Sequence, residues 1–287
     1  MKDINEKNFD FKVKYNNYPI KKNQFKLKII FILIALLILT LIILLIVVLS
    51  KKSKAKKNNN INRGTNKSEH LYIEPSSGVH THTIIFMPGL TSKPEDFKEV
   101  FTERIPFQKK NTTKVVLLRS PLRNVRVLNG QKNHSWFDIY YFPLNSTDSY
   151  NFTEMKNSSN FLKQMIKEEA DILGGNYNKI IIGGHSQGAI ISLYTGYKSC
   201  DKMIGGILAF SGFLPEEDAL LPGKNDLNVY YAYGDIDPVI IPEYFNTTVK
   251  DIMNYEGFKM YIYPNHVHFI KEEEMIDAGK FLDTIMQ

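Results

Sequence analysis

The chain is poor in cysteine. It has one among 287 residues, Cys200, and this excludes an internal disulfide framework. We interpret Cys200 as an ordinary half-buried residue after a helix. Most of the chain also lacks an excess of basic charge. Residues 1–67 hold 15 Lys and Arg against three acids, whereas the remainder carries a net charge of −6. This mildly acidic globular part gives no reason to expect nucleic-acid binding.

Charge is absent from the 21 residues 29–49, where Thr40 is the one polar side chain. At about 1.5 Å per residue a helix of this length measures roughly 31 Å, close to a bilayer core of about 30 Å. A signal peptide would have a shorter apolar region, followed by a small-residue cleavage site. Here the run is long and Ser50-Lys51-Lys52 follows it. The sequence therefore predicts a single-pass membrane protein that contacts membrane lipid through this helix, with a secreted protein as the alternative.

The side of the membrane on which the globular part lies stays open. Five Lys precede the predicted span within fifteen residues, and five Lys and Arg63 follow it. The positive-inside rule is therefore nearly tied. Seven Asn-x-Ser/Thr sequons follow the span, which favours a luminal or extracellular location.

The chain divides into four predicted parts. They are a polar basic tail at 1–28, the span at 29–49, a basic Asn-rich linker at 50–75 and a globular domain at 76–287. In this domain, strands and helices alternate, which predicts a mostly parallel central sheet with helices on both faces and functional groups at the carboxyl ends of the strands. The predicted strands are 81–86, 114–118, 179–183, 204–210, 228–233 and 259–263, and the predicted helices are 93–101, 152–173, 188–197, 242–254 and 272–286.

The stretch 180–188 reads Ile-Ile-Ile-Gly-Gly-His-Ser-Gln-Gly. A short apolar strand thus enters a Gly-x-Ser-x-Gly frame centred on Ser186, and a helix-like apolar run follows. This is the layout of a nucleophile elbow, with the serine at the apex of a tight turn. A side chain at Gly184 or Gly188 would collide with the neighbouring strand or helix. The alternative is a turn with an incidental serine, so catalysis requires partners from elsewhere in the chain.

A serine nucleophile needs an imidazole that takes its proton and a carboxylate that orients the imidazole. The acid candidates are Asp235 and Asp237, in a loop after an apolar strand, and we interpret Asp235 as a turn residue. The base candidates are His266 and His268, again after a strand. Two histidines near an aspartate also suggest a metal, but no third ligand is placed by the sequence. We therefore expect neither a metal nor a cofactor.

The oxyanion that develops during acyl transfer needs two backbone N–H donors. One is expected from Gln187, the residue after the candidate nucleophile. The other is expected from the loop 87–91, which follows the first predicted strand of the domain.

Four sequence motifs lie along this domain. They are G-H-S-Q-G at 184–188, P-L-R-N-V at 121–125 with S-W-F-D-I at 135–139, G-D-I-D-P at 234–238 and E-M-I-D at 274–277. Over about residues 80–286 they resemble the acyl-protein thioesterase family, also called the phospholipase/carboxylesterase family. That family has G-F-S-Q-G, P-x-R-x-V with W-F-D, and G-D-x-D-P. The resemblance implies an α/β-hydrolase fold for residues 76–287.

The resemblance also implies site residues. Counting from the last helix and from Tyr263 places the family histidine at His268, whereas counting from Phe258 gives His266. We choose His268. The implied roles are Ser186 as nucleophile, Asp237 as triad acid, His268 as base, Leu90 and Gln187 as oxyanion donors, and Trp136 as a wall of the acyl site.

Three features depart from the family pattern. The family's His-Gly-Leu-Gly is replaced by Pro88-Gly89-Leu90-Thr91, and Pro88 supplies no N–H. Most family members have no membrane anchor. The third feature is the sequon at Asn133, which lies in a segment expected to border the site. A glycan there would obstruct substrate, which favours a cytosolic domain or an unused sequon.

The predicted function is a membrane-anchored serine hydrolase that cleaves acyl esters or thioesters through a Ser-His-Asp acyl-enzyme mechanism. The expected substrates are an acylated protein, a lysophospholipid or a small ester. A lysophospholipase and a catalytically inactive hydrolase fold that binds acylated partners are the alternatives.

Overall fold

The structure, a computed structural model, describes residues 70–287. The predicted tail at 1–28, the predicted span at 29–49 and most of the predicted linker lie outside the described residues. Between residues 70 and 287, no helix is both long and apolar enough to cross a membrane.

Seven strands form the central sheet. Six of them run parallel, and the first pairs antiparallel at the edge. The order across the sheet is β1-β3-β2-β6-β7-β8-β9. The strands are β1 (Leu71–Ile73), β2 (His82–Met87), β3 (Thr113–Leu117), β6 (Ile180–His185), β7 (Gly206–Phe210), β8 (Val229–Gly234) and β9 (Phe258–Tyr263). The predicted mostly parallel sheet of an α/β-hydrolase fold is therefore confirmed.

The helices follow the predicted order with changed bounds. They are α1 (Phe152–Ile172), α2 (Gln187–Tyr194), α3 (Pro242–Val249) and α4 (Glu272–Ile285). A π-helical turn, Thr195–Ser199, continues α2. The predicted helix at 93–101 is instead a 3-10 turn, Pro94–Phe97, and a π turn, Val100–Arg104. Its aromatic side chains pack on the sheet, since Phe97 and Phe101 both contact Phe86.

Two elements were not predicted from the sequence. Strand β1 lies inside the predicted linker, and its residues pair with β3 from Leu71 opposite Leu117 to Ile73 opposite Val115. A hairpin of β4 (Leu122–Val125) and β5 (Gln131–His134) forms a separate two-stranded sheet. Its sequence is polar and lacks the alternation that marks a half-buried strand.

Two apolar layers cover the faces of the sheet. Ile85 and Ile182 belong to the layer that contains α1 and α2, and Ile84 and Ile181 belong to the layer that contains α4. Burial on both faces explains why 180–182 reads as a continuous β-branched run, as parallel strands do. Because β2, β6, β8 and β9 run parallel, their carboxyl ends lie along one edge of the sheet. The predicted site residues follow these ends.

Candidate active site

Ser186 lies between the end of β6 and the start of α2, at φ 54° and ψ −118°. This backbone conformation is unusual for a residue with a side chain. A hydrogen bond from the Ser186 N–H to the Phe210 carbonyl oxygen, at 2.9 Å, stabilises this conformation. A Cβ on Gly188 would lie 1.8 Å from the Met87 carbonyl oxygen, and one on Gly184 would lie 2.3 Å from the Gly188 carbonyl carbon. The two glycines thus let the turn press against β2, as the sequence predicts.

The loops after β8 and β9 bring Asp237 and His268 together. His268 Nδ1 lies 2.6 Å from Asp237 Oδ2. The other carboxylate oxygen of Asp237 accepts hydrogen bonds from the N–H groups of Val239 (2.8 Å) and Ile240 (3.0 Å). These hydrogen bonds fix the Asp237 carboxylate. The residue is also 97% buried. Among the described residues, His268 Nε2 has no hydrogen-bond partner, so this ring nitrogen is available to a reacting group.

His266 is placed differently. Its Nε2 contacts the carbonyl oxygen of Phe269 and lies 3.7 Å from a carboxylate oxygen of Glu274. Its backbone N–H points to Asp235 Oδ1 at 3.3 Å, which agrees with a turn role for Asp235. Burial lowers the pKa of His266 and raises the pKa of Glu274 to about 7. The structure therefore pairs His268, and not His266, with Asp237.

The loop after β2 carries Leu90, the first predicted oxyanion donor. The carbonyl oxygen of Pro88 in this loop accepts a hydrogen bond from Trp136 Nε1 at 2.8 Å. The Thr91 N–H donates to the His134 carbonyl oxygen at 2.8 Å, which ties the same loop to the hairpin. The loop is thus anchored on both sides of Leu90 despite Pro88.

Gln187, the second predicted donor, is the first residue of α2. An N–H at this position has no acceptor within its own helix. The Gln187 side chain is fully buried, and both of its polar atoms form hydrogen bonds. Oε1 accepts from the Trp136 N–H at 2.9 Å, and Nε2 donates to the Phe137 carbonyl oxygen at 2.7 Å. The Gln187 side chain therefore fastens the segment 135–137 to the elbow.

Trp136, which the sequence predicts as a wall of the acyl site, is buried in the structure. It is 2% exposed and stacks on Phe161 with ring centroids 6.2 Å apart. Its contacts with Pro88 and Gln187 link it to both predicted donor positions. A role in supporting the oxyanion loop follows from these contacts more directly than a contact with substrate.

His185 is a site residue that sequence reasoning missed. Its Nε2 lies 2.7 Å from the backbone carbonyl oxygen of His268, and the two rings are 5.0 Å apart. The available signal was the histidine in G-H-S-Q-G, where the family has phenylalanine.

Apolar side chains flank the loops that carry Asp237 and His268. Ile236, directly before Asp237, is 53% exposed, and Phe269, directly after His268, is 63% exposed. An acyl chain is a suitable ligand for such a rim, because burying apolar area contributes roughly 25 cal/mol per Å². In residues 70–287, no group of three or more His, Cys, Asp or Glu is placed to hold a metal ion.

The fold and this site define a serine ester or thioester hydrolase of the α/β-hydrolase class. The family model described as "Phospholipase/Carboxylesterase" matches residues 68–286. The chain belongs to this family, as the sequence motifs predict.

Curated relatives and solved structures agree with this assignment. An acyl-protein thioesterase 1 of Yarrowia lipolytica is 31% identical over 216 residues, which are 73% of this chain and 94% of the relative. That of Saccharomyces cerevisiae is 33% identical over 214 residues, 70% and 91% of the two chains. Among solved structures, Zea mays acyl-protein thioesterase 2 has a TM-score of 0.60 at 18% identity, covering 77% of this chain and all of that one. Arabidopsis thaliana SOBER1 reaches 0.65 at 18% identity, covering 72% and 100%. These structures support the fold.

The comparisons correct the predicted localisation. The family match begins at residue 68, after the predicted span at 29–49. The two yeast relatives are matched over 94% and 91% of their own length, so little of either relative is left unmatched. The predicted single-pass membrane location is therefore wrong by this comparison, and membrane lipid has no support as a partner. The prediction relied on the length and apolarity of one run, which are independent of the hydrolase domain.

Proposed function

We propose that the chain hydrolyses acyl thioesters or esters through an acyl-enzyme, with an acylated protein as the main substrate. The observation that carries the proposal is the 2.6 Å contact between His268 Nδ1 and Asp237 Oδ2, at the same sheet edge as Ser186 on its elbow. The thioester preference comes from the curated relatives, which are acyl-protein thioesterases. The exposed apolar rim at Ile236 and Phe269 suits a fatty acyl chain.

In the proposed reaction, Ser186 Oγ attacks the acyl carbonyl carbon while His268 Nε2 takes the hydroxyl proton. The Leu90 and Gln187 N–H groups donate to the oxyanion that forms. The carbon–sulfur bond then breaks, and the leaving thiol receives the proton from His268. Water attacks the resulting ester on Ser186, again with His268 as base. The bond between Ser186 Oγ and the acyl carbon breaks, His268 returns the proton to Oγ, and the fatty acid leaves. Asp237 holds the imidazole in the tautomer that these steps require.

The test is a set of three variants measured with an S-acyl-cysteine peptide and a fluorophosphonate probe. Ser186→Ala should abolish turnover and labelling. His268→Gln should lower kcat by about 10³-fold or more, whereas His266→Gln should retain most activity. Full turnover by Ser186→Ala refutes the nucleophile, and the reverse order of the two histidine variants refutes the assigned base.

A lysophospholipase is the second candidate function, and the family description that includes phospholipases favours keeping it. A panel of S-acyl peptide, lysophosphatidylcholine and p-nitrophenyl esters separates the two. We expect the highest kcat/KM on the S-acyl peptide. A higher value on lysophosphatidylcholine would reverse the order of the candidates.

A further inference from the structure

A cavity of about 320 Å³ lies beside the loop that carries Asp237. Residues from three segments line it, including Asn145, Ser146, Glu216, Glu243 and Tyr244. None of them takes part in the proposed acyl transfer. The lining is mixed, with apolar surface and two acidic side chains, whereas the rim at Ile236 and Phe269 is apolar.

The cavity is joined to the triad acid by short connections. The Leu144 N–H donates to the Val239 carbonyl oxygen at 2.7 Å, and Leu144 also forms a bridge with Ile240. Val239 and Ile240 are the residues whose N–H groups hold Asp237. Ile241, the next residue, lines the cavity. Four residues span at most about 14 Å, so the Ile241 backbone, at one side of the cavity, lies within that distance of the Asp237 backbone.

Two carboxylates in this cavity lack a direct ion pair in the described part of the chain, although Lys198 interacts electrostatically with Glu216. Among the described residues, Glu216 and Glu243 form neither an ion pair nor a side-chain hydrogen bond through their carboxylates. The adjacent acids are engaged, because Tyr150 donates to Glu217 at 2.9 Å and Lys156 pairs with Asp218 at 2.9 Å. Exposed carboxylates close together favour a cationic ligand.

The hydroxyl of Tyr244 is a third free oxygen at this place. Tyr244 is 94% buried, yet its hydroxyl has no hydrogen-bond partner among residues 70–287. A buried polar group without a partner is destabilising, so a ligand that supplies a partner is stabilised there. Burial, followed by the charges of Glu216 and Glu217, raises the pKa of Tyr244. The phenol is therefore neutral, and its oxygen can accept a hydrogen bond.

We propose that this cavity binds the ammonium or guanidinium group of a Lys or Arg side chain close to the acylated cysteine of a protein substrate. The inference rests on the proposed thioesterase function and adds a sequence preference to it. The oxygens of Glu216, Glu243 and Tyr244 can all accept hydrogen bonds from the N–H groups that Lys and Arg provide. A choline headgroup carries the positive charge but no N–H, so it satisfies the charge and leaves the oxygens unbonded. Because Ile241 follows Asp237 by four residues and lines the cavity, we place the basic residue a few positions from the cysteine.

The test uses two S-octanoyl-cysteine peptides that differ only in Lys or norleucine at three positions from the cysteine. Norleucine keeps the apolar stem of Lys and removes the ammonium group. We expect wild type to hydrolyse the Lys peptide with at least tenfold higher kcat/KM. The double variant E216Q/E243Q should reduce this ratio to below twofold, and Tyr244→Phe should reduce it in part.

A matched control exists at the opposite end of the sheet. Asp226 and Glu256 line a second cavity, of about 460 Å³, beside the amino ends of β8 and β9. The double variant D226N/E256Q removes the same charge from the chain, and it should leave the Lys-to-norleucine ratio at the wild-type value. An equal loss in both double variants would indicate a general charge effect and would refute the site.

The outcomes separate this inference from the proposed function. Equal hydrolysis of the two peptides by wild type refutes the cation site alone. Failure to hydrolyse either peptide, without fluorophosphonate labelling of Ser186, refutes the proposed function. If E216Q/E243Q lowers hydrolysis of lysophosphatidylcholine and leaves the peptide ratio unchanged, the cavity holds choline and the inference is wrong. If the double variant does not fold, the salt dependence of the wild-type ratio decides, because screening should bring it toward one.

Discussion

His185 Nε2 lies 2.7 Å from the backbone carbonyl oxygen of His268. The residue before the proposed nucleophile thereby tethers the loop that carries the proposed base. Burial, with a smaller effect from His268, lowers the pKa of His185 to about 3. The imidazole is therefore neutral near pH 7, and its Nε2 proton is donated to the carbonyl. A phenylalanine, the family residue at this position, cannot make this bond.

We predict that His185→Phe lowers kcat about fivefold and leaves KM nearly unchanged. The reason is the loss of one hydrogen bond, worth roughly 1 kcal/mol, which positions His268. His185→Gln keeps an N–H donor and should retain more of kcat. Steady-state kinetics on an S-acyl peptide check this prediction. A change confined to KM would show that His185 acts on substrate binding instead.

The same variant should change the response of stability to acid. Because the folded pKa of His185 is about 3 and its unfolded value is 6.5, wild type loses stability as the pH falls from 6.5 toward 3. His185→Phe removes this contribution, so its free energy of unfolding should fall less between pH 7 and pH 4. Urea unfolding at the two pH values measures the difference. Equal slopes for the two proteins would contradict the lowered pKa.

Trp136→Phe should lower kcat through the loop that carries Leu90. The substitution removes the Nε1 donor to the Pro88 carbonyl oxygen and keeps an aromatic ring against Phe161. We expect a stability loss of about 1–2 kcal/mol and a reduced rate of acylation in burst kinetics. Phe161→Leu disturbs the stack and leaves the hydrogen bond, so it should affect stability more than kcat. The opposite pattern would assign Trp136 to packing alone.

Gly188→Ala should disrupt the elbow. The new Cβ would lie 1.8 Å from the Met87 carbonyl oxygen, in a backbone fixed by the pairing of β2 with β6. We expect a loss of about 3 kcal/mol or more, together with most of the activity. Gly78→Ala is the control, because that glycine has φ +75° and nothing within 4 Å of the added atom. It should cost about 1 kcal/mol and preserve activity. Thermal unfolding and a p-nitrophenyl ester assay compare the two.

Glu274→Gln should stabilise the chain at neutral and alkaline pH. Glu274 is 99% buried, and burial raises its pKa from 4.5 to about 7. Its ionised form is disfavoured in the folded state, so wild type loses stability as the pH rises from about 4.5 to 7. The variant avoids this loss, which amounts to about 3 kcal/mol.

The comparison of the two proteins isolates Glu274 from its neighbours. His266 has a lowered pKa and contributes the opposite slope, Asp237 raises the pKa of Glu274, and Lys271 lowers it. All three are present in both proteins. Unfolding free energies of wild type and variant that run parallel from pH 5 to pH 8 would refute the raised pKa.

The sequence predicted those parts of the fold whose signals are local. Buried parallel strands read as apolar runs, so 180–182 and its neighbours were found, and the two elbow glycines were assigned from the tightness of the turn. Strand β1 was missed because three residues carry no periodicity. The hairpin was missed because its residues are mainly polar and pair with each other outside the main sheet.

The candidate site also has parts that the sequence predicted and parts that it did not. Ser186, Asp237 and His268 follow strand ends in the expected order, and the structure brings the last two together. The tether from His185 and the link from Gln187 to 135–137 join segments far apart in the chain. Such contacts depend on how loops meet in three dimensions, and spacing along the sequence does not encode them.

Strand β1 bears on how a shortened form of the protein would behave. Its three residues cover the outer edge of β3, the last strand on that side of the sheet. A fragment that starts at residue 76, the predicted domain boundary, would leave the β3 backbone groups unpaired, and exposed edge strands promote association between molecules. A fragment that starts before residue 70 keeps this edge covered and is the better choice for expression and crystallisation.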